Sequence, residues 1–253
     1  MKENILGYVV DSFTVEGCAD NVFAALSGFD RPNVCAWLAC LNPHSYAMAL
    51  DDKTFSQALN DANWLVPDGA GVVLASRIFG GGIKERVTGS DVFHGLHQRM
   101  NKAAGMSVFF LGATEETLRL IRDRMARDYS NVRVAGTYSP PFKPTYSDEE
   151  MNEMISAVNA AAPDVLWVGM TAPKQEKWIF ENRARLNVKF AGAIGAVFDF
   201  YTGRVKRAHP MFQRLGLEWL PRLVQQPTRL WRRMFVSAPI FMLHVILTKA
   251  GLR

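Results

Sequence analysis

The feature that most restricts the fold of this 253-residue chain is a series of short, wholly apolar runs set between segments of helical period. Residues 107–112 read SVFFLG and residues 165–169 read VLWVG. A strand with one face in water would alternate apolar with polar residues, so these uninterrupted runs require burial on both faces. Strands of that kind belong to a parallel sheet covered by crossover helices. The pattern predicts strands at Ile5–Val10, Val34–Leu41, Trp64–Val66, Ser107–Gly112, Val132–Thr137, Val165–Gly169 and Phe190–Ile194. Between them, Thr114–Tyr129 opens with a Thr and two acids, and Ser147–Ala161 carries Ser147 and Glu150 at capping-box spacing, which predicts a helix in each. Residues 80–82 (GGG) and 139–144 (SPPFKP) read as surface connections. With no internal repeat, the expectation is one α/β, Rossmann-like, mostly parallel sheet with flanking helices over residues 1–202.

Charge divides the chain differently. The net charge is +5, but residues 203–253 hold ten Lys/Arg against one acid, Glu218, while residues 1–202 hold 19 Lys/Arg against 23 Asp/Glu. The basic character is therefore local to a C-terminal appendage of helical spacing, where it suits the phosphates of lipid, substrate or nucleic acid. The apolar stretch Met234–Leu247 is 14 residues long, below the roughly 20 needed to span a bilayer. Such a helix docks on its own domain or a sister subunit, or lies on a membrane. Trp219, Trp231, Phe235, Phe241 and Met242 crowded among arginines favour a membrane-associating appendage. Cys18, Cys35 and Cys40 show neither metal-ligand spacing nor an even disulfide framework, which suits a reducing compartment. The start MKENILGYVVDSF lacks the pattern of a signal peptide, so the chain is expected to stay inside the cell.

In an open parallel sheet, ligands bind beyond the carboxyl ends of the strands. Polar residues there are the candidates, each weighed against a structural role. Cys40 and Asn42 leave the Val34–Leu41 run, and Asn42 either binds a ligand or caps the next helix. Asp68 in VPDG is a candidate carboxylate or merely a turn residue. Arg86 opens RVTGSD as a phosphate clamp or a solvated cation. GATEE at 112–116 sits where a nucleotide-binding turn would, without the full G-x-G-x-x-G set. In GMTAPKQEKWI a helix starts beside Lys174 and Gln175, a plausible diphosphate seat. Asp199 follows Gly192 and Gly195, glycines expected to permit close backbone approach. No P-loop, G-x-S-x-G elbow, H-E-x-x-H, zinc spacing or strand-end Asp-x-Asp occurs, so a bound diphosphate would be neutralised by cations and helix ends, with no metal ligands expected.

Taken in order, Asn42, VPDG at 66–69, RVTGSD at 86–91, GMTAPKQEKW at 169–178, GAIGAVFDFYTG at 192–203, RAHP and LEWLPRLVQQPTR resemble the WecG/TagA/CpsF family of bacterial glycosyltransferases over nearly the whole chain. The resemblance implies an inverting, metal-independent, cofactor-free transfer of a hexose or hexosamine-type sugar from a UDP-sugar to a polyprenyl-diphosphate-linked sugar. The setting it implies is the cytoplasmic face of the inner membrane, in surface polysaccharide biosynthesis. On that basis Asp68 is the general base, and Asn42, Arg86, Gln175 and Asp199 line the donor and acceptor pocket. Arg222, Arg229 and Arg232 fall on appendage arginines that would reach the acceptor diphosphate. Cys40 stands where the family commonly has Thr, and Gln226 where it has Glu. The chemistry agrees with these assignments: a sugar hydroxyl needs a carboxylate to take its proton, and cations can stabilise the departing UDP.

The competing class is a nucleotide- or nucleic-acid-binding regulatory protein with a basic tail, against which the apolar run to Leu247 argues. A Rossmann-type oxidoreductase lacks its glycine fingerprint and ranks last. The appendage leaves a homo-oligomer open.

Overall fold

The computed structural model describes residues 1–28, 34–205 and 231–252. Its centre is a six-stranded, all-parallel sheet in the order β4 (Trp64–Pro67), β3 (Ala36–Leu41), β8 (Phe190–Ala193), β7 (Val165–Gly169), β5 (Ser107–Gly112), β6 (Arg133–Tyr138). Consecutive residues of a strand feed opposite layers, as period-two geometry requires. Phe109, Leu166 and Ala191 join one apolar layer, while Phe110, Trp167 and Phe190 join the other. Both layers are buried, which is why the strands read as unbroken apolar runs.

The first layer is completed by α2 (Pro43–Ala49), α3 (Lys53–Asp61), α4 (Ala70–Phe79), α7 (Asp148–Ala161) and α8 (Lys174–Asn182). The second is completed by α1 (Val15–Gly28), α5 (Gly89–Ala103), α6 (Glu115–Asp128) and α9 (Val197–Tyr201). The predicted caps hold. Thr114 accepts from the Thr117 amide at the start of α6, and Ser147 and Glu150 form a reciprocal capping box on α7.

One predicted strand is corrected. Ile5–Val10 is not a single strand of the sheet but the heart of an antiparallel hairpin, β1 (Lys2–Ile5) and β2 (Tyr8–Asp11). Leu6 and Gly7 both adopt positive φ (53° and 93°), the conformation of a tight hairpin turn whose twist matches its strands. The hairpin attaches to the sheet edge where the Leu65 amide donates to the buried Asp11 carboxyl at 2.9 Å.

At the C-terminal end, a π-helical turn at Arg233–Ser237 leads into α10 (Ala238–Lys249). Pro239 lacks an N–H and crowds the carbonyl four residues earlier, and the widened turn accommodates it. The helix docks by one face. Phe241 and Val245 are fully buried in the first apolar layer, and Phe241 meets the Tyr46 ring edge-on at 5.3 Å. Hydrogen bonds join the Tyr46 hydroxyl to His244 Nδ1 at 2.7 Å and His44 Nδ1 to the Ser237 hydroxyl at 2.9 Å. Gly71 on α4 makes room for the seam, since a Cβ there would stand 2.7 Å from Pro43. The opposite face of the segment exposes Trp231, Phe235, Leu243 and Ile246. Among the described residues no helix is long and apolar enough to cross a membrane.

The two faces differ in what they hold. Phe241→Ala is expected to lower stability by about 3–5 kcal/mol, and Leu243→Ala to change it by no more than about 0.5 kcal/mol. Chemical denaturation of the two variants checks the pair, and equal losses would contradict the docking.

Candidate active site

A cleft of about 700 Å³ opens over the carboxyl ends of the strands, with walls drawn from the exits of all six. Cys40, Asn42, Asp68, Arg86, Lys174, Gln175 and Asp199 all line it. The sheet thus brings together residues spread over 160 positions of sequence.

The β3 and β4 exits are held side by side, because the Asp68 amide donates to the Leu41 carbonyl at 2.8 Å. Asn42 has both of the roles that its position suggests. Its Oδ1 accepts from the His44 and Ser45 amides, capping α2, while its Nδ2 makes a long 3.5 Å hydrogen bond to the Asp68 carboxylate. Asp68 is not a helix cap. That place in α4 belongs to Gly69, at φ 111°, ψ 151°, a conformation a side chain would strain. The half-buried Asp68 carboxylate lines the cleft. Beside it, burial pushes the Cys40 thiol well above its ordinary range, helped by the charges of Asp68 and Glu176, so Cys40 is a protonated neutral wall and not a thiolate.

RVTGSD divides its labour. Arg86 lines the cleft, whereas Thr88 and Asp91 form the capping box of α5. Gly89 packs its backbone on Ile194, where a Cβ would sit 3.3 Å away. At the β7 exit, Lys174 is seated by the 139–146 loop. Its ammonium donates to the Lys143 carbonyl at 2.9 Å and lies 4.9 Å from the Tyr146 ring centroid, and burial pulls its pKa down. Gln175 is buried and engaged at both ends: Oε1 accepts from the Gly195 amide at 2.9 Å, and Nε2 donates to Glu176 at 2.9 Å. Its amide braces α8 against the turn after β8. Of the two glycines expected to admit a ligand, Gly192 instead leaves room for the Trp167 ring, a packing role, and Gly195 supplies the N–H to Gln175.

Glu176, His44, Arg204 and Arg233 line the cleft and escaped the sequence reading. Glu176 is 3% exposed, and burial pushes its carboxyl up to about 7. His44 is pulled down to about 4 by burial and by Arg233 and Arg232, so it is neutral near pH 7. Arg233 reaches the cleft, while Arg232 stands exposed beside it. The signals were present as neighbours: Glu176 follows Gln175, His44 follows Asn42 by two, and Arg233 follows Arg232. Arg222 and Arg229 lie outside the described residues. Among the described residues, no three His, Cys, Asp or Glu side chains are placed to hold a metal ion.

The cleft can hold an extended anionic ligand. Arg86, Lys174, Arg204 and Arg233 are distributed around it, and the first turns of α5 and α8 end in it. Asp68 supplies a carboxylate able to accept a proton.

Comparison with known proteins agrees with this geometry. The model of the Glycosyl transferase WecG/TagA/CpsF family matches residues 3–253. The chain is 31% identical to an N-acetylglucosaminyldiphosphoundecaprenol N-acetyl-beta-D-mannosaminyltransferase of Bacillus spizizenii, over 85% of this chain and 80% of that one. A protein of the same name from Bacillus subtilis is also 31% identical, over 83% and 79%. One from Staphylococcus aureus (strain MW2) is 26% identical over 100% and 95%. A parallel sheet with its cleft at the strand exits, the ordered motifs on its walls and a family match over almost every residue lead to one conclusion: this chain is a glycosyltransferase of the WecG/TagA/CpsF family.

Proposed function

We propose that the protein transfers an N-acetylmannosamine-type sugar from a UDP-sugar to a polyprenyl-diphosphate-linked N-acetylglucosamine acceptor, with inversion and without a metal, at the cytoplasmic surface of a membrane. The sugar and acceptor come from the names of the relatives. The observation that carries the chemistry is Asp68: a carboxylate at a strand exit, hydrogen-bonded to Asn42, on the wall of a cationic cleft.

In this reading Asp68 takes the proton of the acceptor hydroxyl as it attacks the anomeric carbon. Attack from the face opposite UDP turns an α-linked donor into a β-linked product. Charge developing on the departing UDP is met by Arg86 and Lys174 and by the amides that open α5 and α8. Asp199 and Cys40 shape the sugar subsite from the β8 and β3 exits. Gln175 shapes it indirectly, through the Gly195 turn.

The appendage delivers the acceptor. Arg222, Arg229 and Arg232 grip the lipid diphosphate, and the exposed apolar residues Phe235, Leu243 and Ile246 settle into the membrane interface. Enzyme and lipid-linked acceptor then meet on one surface, which replaces a search in three dimensions by positioning in two. A regulatory nucleic-acid-binding protein is set aside by the family match.

Asp68→Asn should leave the fold and UDP-sugar binding in place while lowering kcat by at least about a hundredfold, the scale of a lost general base; near-normal turnover would remove Asp68 from the role. Turnover in EDTA should equal turnover without it, and a loss restored by added Mg²⁺ would refute the metal-free step. Because α10 also builds the core, the membrane role is best tested by substitution: Leu243→Glu with Ile246→Glu should abolish co-sedimentation with anionic vesicles at unchanged thermal stability. Undiminished sedimentation would exclude that face as the anchor.

A further inference from the structure

The mechanism above leaves unused one buried carboxyl group on the cleft wall. Glu176 occupies the first turn of α8 on the floor of the cleft. Its Oε1 accepts from Gln175 Nε2 at 2.9 Å, and Gln175 in turn holds the Gly195 amide, in the turn that leads into α9, the helix that carries Asp199. Its Oε2 is buried and has no hydrogen-bond partner among the described residues. Arg86 lines the same cleft. Asp68 from the β4 exit and the Cys40 thiol from the β3 exit share its corner of the cleft, and both carboxyl groups act on that thiol. The cations of its own helix are turned elsewhere: Lys174 to the Lys143 carbonyl and the Tyr146 ring, Lys177 to Asp52 of α3 at 3.0 Å. Arg183, just past the end of α8, pairs with Asp61 of α3. An ionised carboxylate here would have one buried oxygen without a hydrogen-bond donor among the described residues.

We infer that Glu176 is a positioning residue that works as a neutral acid: it braces Gln175 and the Gly195 turn, and it keeps a second negative charge off the floor of the cleft beside Asp68. The inference rests on the reading of this cleft as the donor site. Burial pushes the Glu176 carboxyl up to about 7, so the proton is held through the acidic and neutral range and released just above it. Release puts a negative charge into the cleft in which, on this reading, the diphosphate of the donor binds, while the hydrogen bond from Gln175 Nε2 is kept. The effect falls on donor capture, hence on kcat/KM for the UDP-sugar.

Glu176→Gln keeps the acceptor oxygen for Gln175 and cannot ionise, which separates charge from shape. For the unaltered protein kcat/KM for the UDP-sugar should fall about tenfold per pH unit above about 7. The Gln variant should match it within a few-fold at pH 6 and run level through pH 8.5. Glu176→Ala, which removes the brace, should be lower at every pH with no limb near 7. An unchanged alkaline limb in the Gln variant, or a loss of a hundredfold or more at pH 6, would overturn the inference.

Thermal unfolding without substrate gives a second, independent readout. A carboxyl whose folded pKa lies above its ordinary 4.5 stabilises the fold less as pH rises from about 4.5 through about 7. The melting temperature of the unaltered protein should therefore drop relative to that of the Gln variant over this interval and then level. Parallel curves would show that Glu176 holds no proton in the fold, whatever the enzyme's donor. If instead neither protein turns over any UDP-sugar while the curves diverge as described, the donor reading fails and the protonated brace stands.

Discussion

A carboxylate, an amide, four cations and two helix starts can share one cleft only if six strand ends are held in register, and that register depends on the apolar layers on either side of the sheet. β7 and β8 lie at the centre, and every residue of β8 and all but the last of β7 are buried. Trp167, Phe190 and Phe110 fill one layer while Leu166, Ala191 and Phe109 fill the other. With no side of these strands left to water, a shift of one residue would move every side chain into the wrong layer. The polar residues that follow each run have nowhere to go but the rim.

The electrostatics of the rim follow from that placement. Carboxylates of Asp68 and Asp199 and cations of Arg86, Lys174, Arg204 and Arg233 alternate around the opening, with neutral His44 and Cys40 between them. An arrangement of this kind can admit an anion, because the cations are spread over the walls. Glu176 fits the same logic only when protonated, since burial disfavours its charged form and leaves one oxygen without a hydrogen-bond donor among the described residues.

The C-terminal helix has one buried and one exposed face. Phe241 and Val245 complete the layer begun by α2 and α4, and hydrogen bonds through His44 and Tyr46 tie it to the segment that also carries Asn42. The same segment turns Phe235, Leu243 and Ile246 outward. Docking and exposure of apolar residues, which looked like alternatives in the sequence, are two faces of one helix. The link runs through α2, so a surface that holds the exposed face also fixes the orientation of the cleft.

Much of this was legible in the residues alone. Unbroken apolar runs announced a sheet covered on both faces, since no other environment tolerates them, and the polar residue after each run marked the rim. Capping residues fixed helix starts, because Thr114 and Ser147 satisfy backbone donors that only the first turn leaves open. Other features depend on distance through space. Ile5–Val10 has strand composition, and only the positive φ of Leu6 and Gly7 turns it into a hairpin. The choice of Arg233 over Arg232 for the cleft depends on a π-helical turn that rotates the phase of the helix, which no straight-helix count anticipates. Asn42 and Asp68 were each visible, but their contact was not, being set by the pairing of β3 with β4. Glu176 reads as one more surface acid in KQEKW, and packing alone makes it a buried one. Sequence determined which residues could be apolar, capped or charged, because those are properties of single residues and their near neighbours. Tertiary structure decided which charges share a dry corner, because solvation and Coulomb energy depend on what stands across the gap.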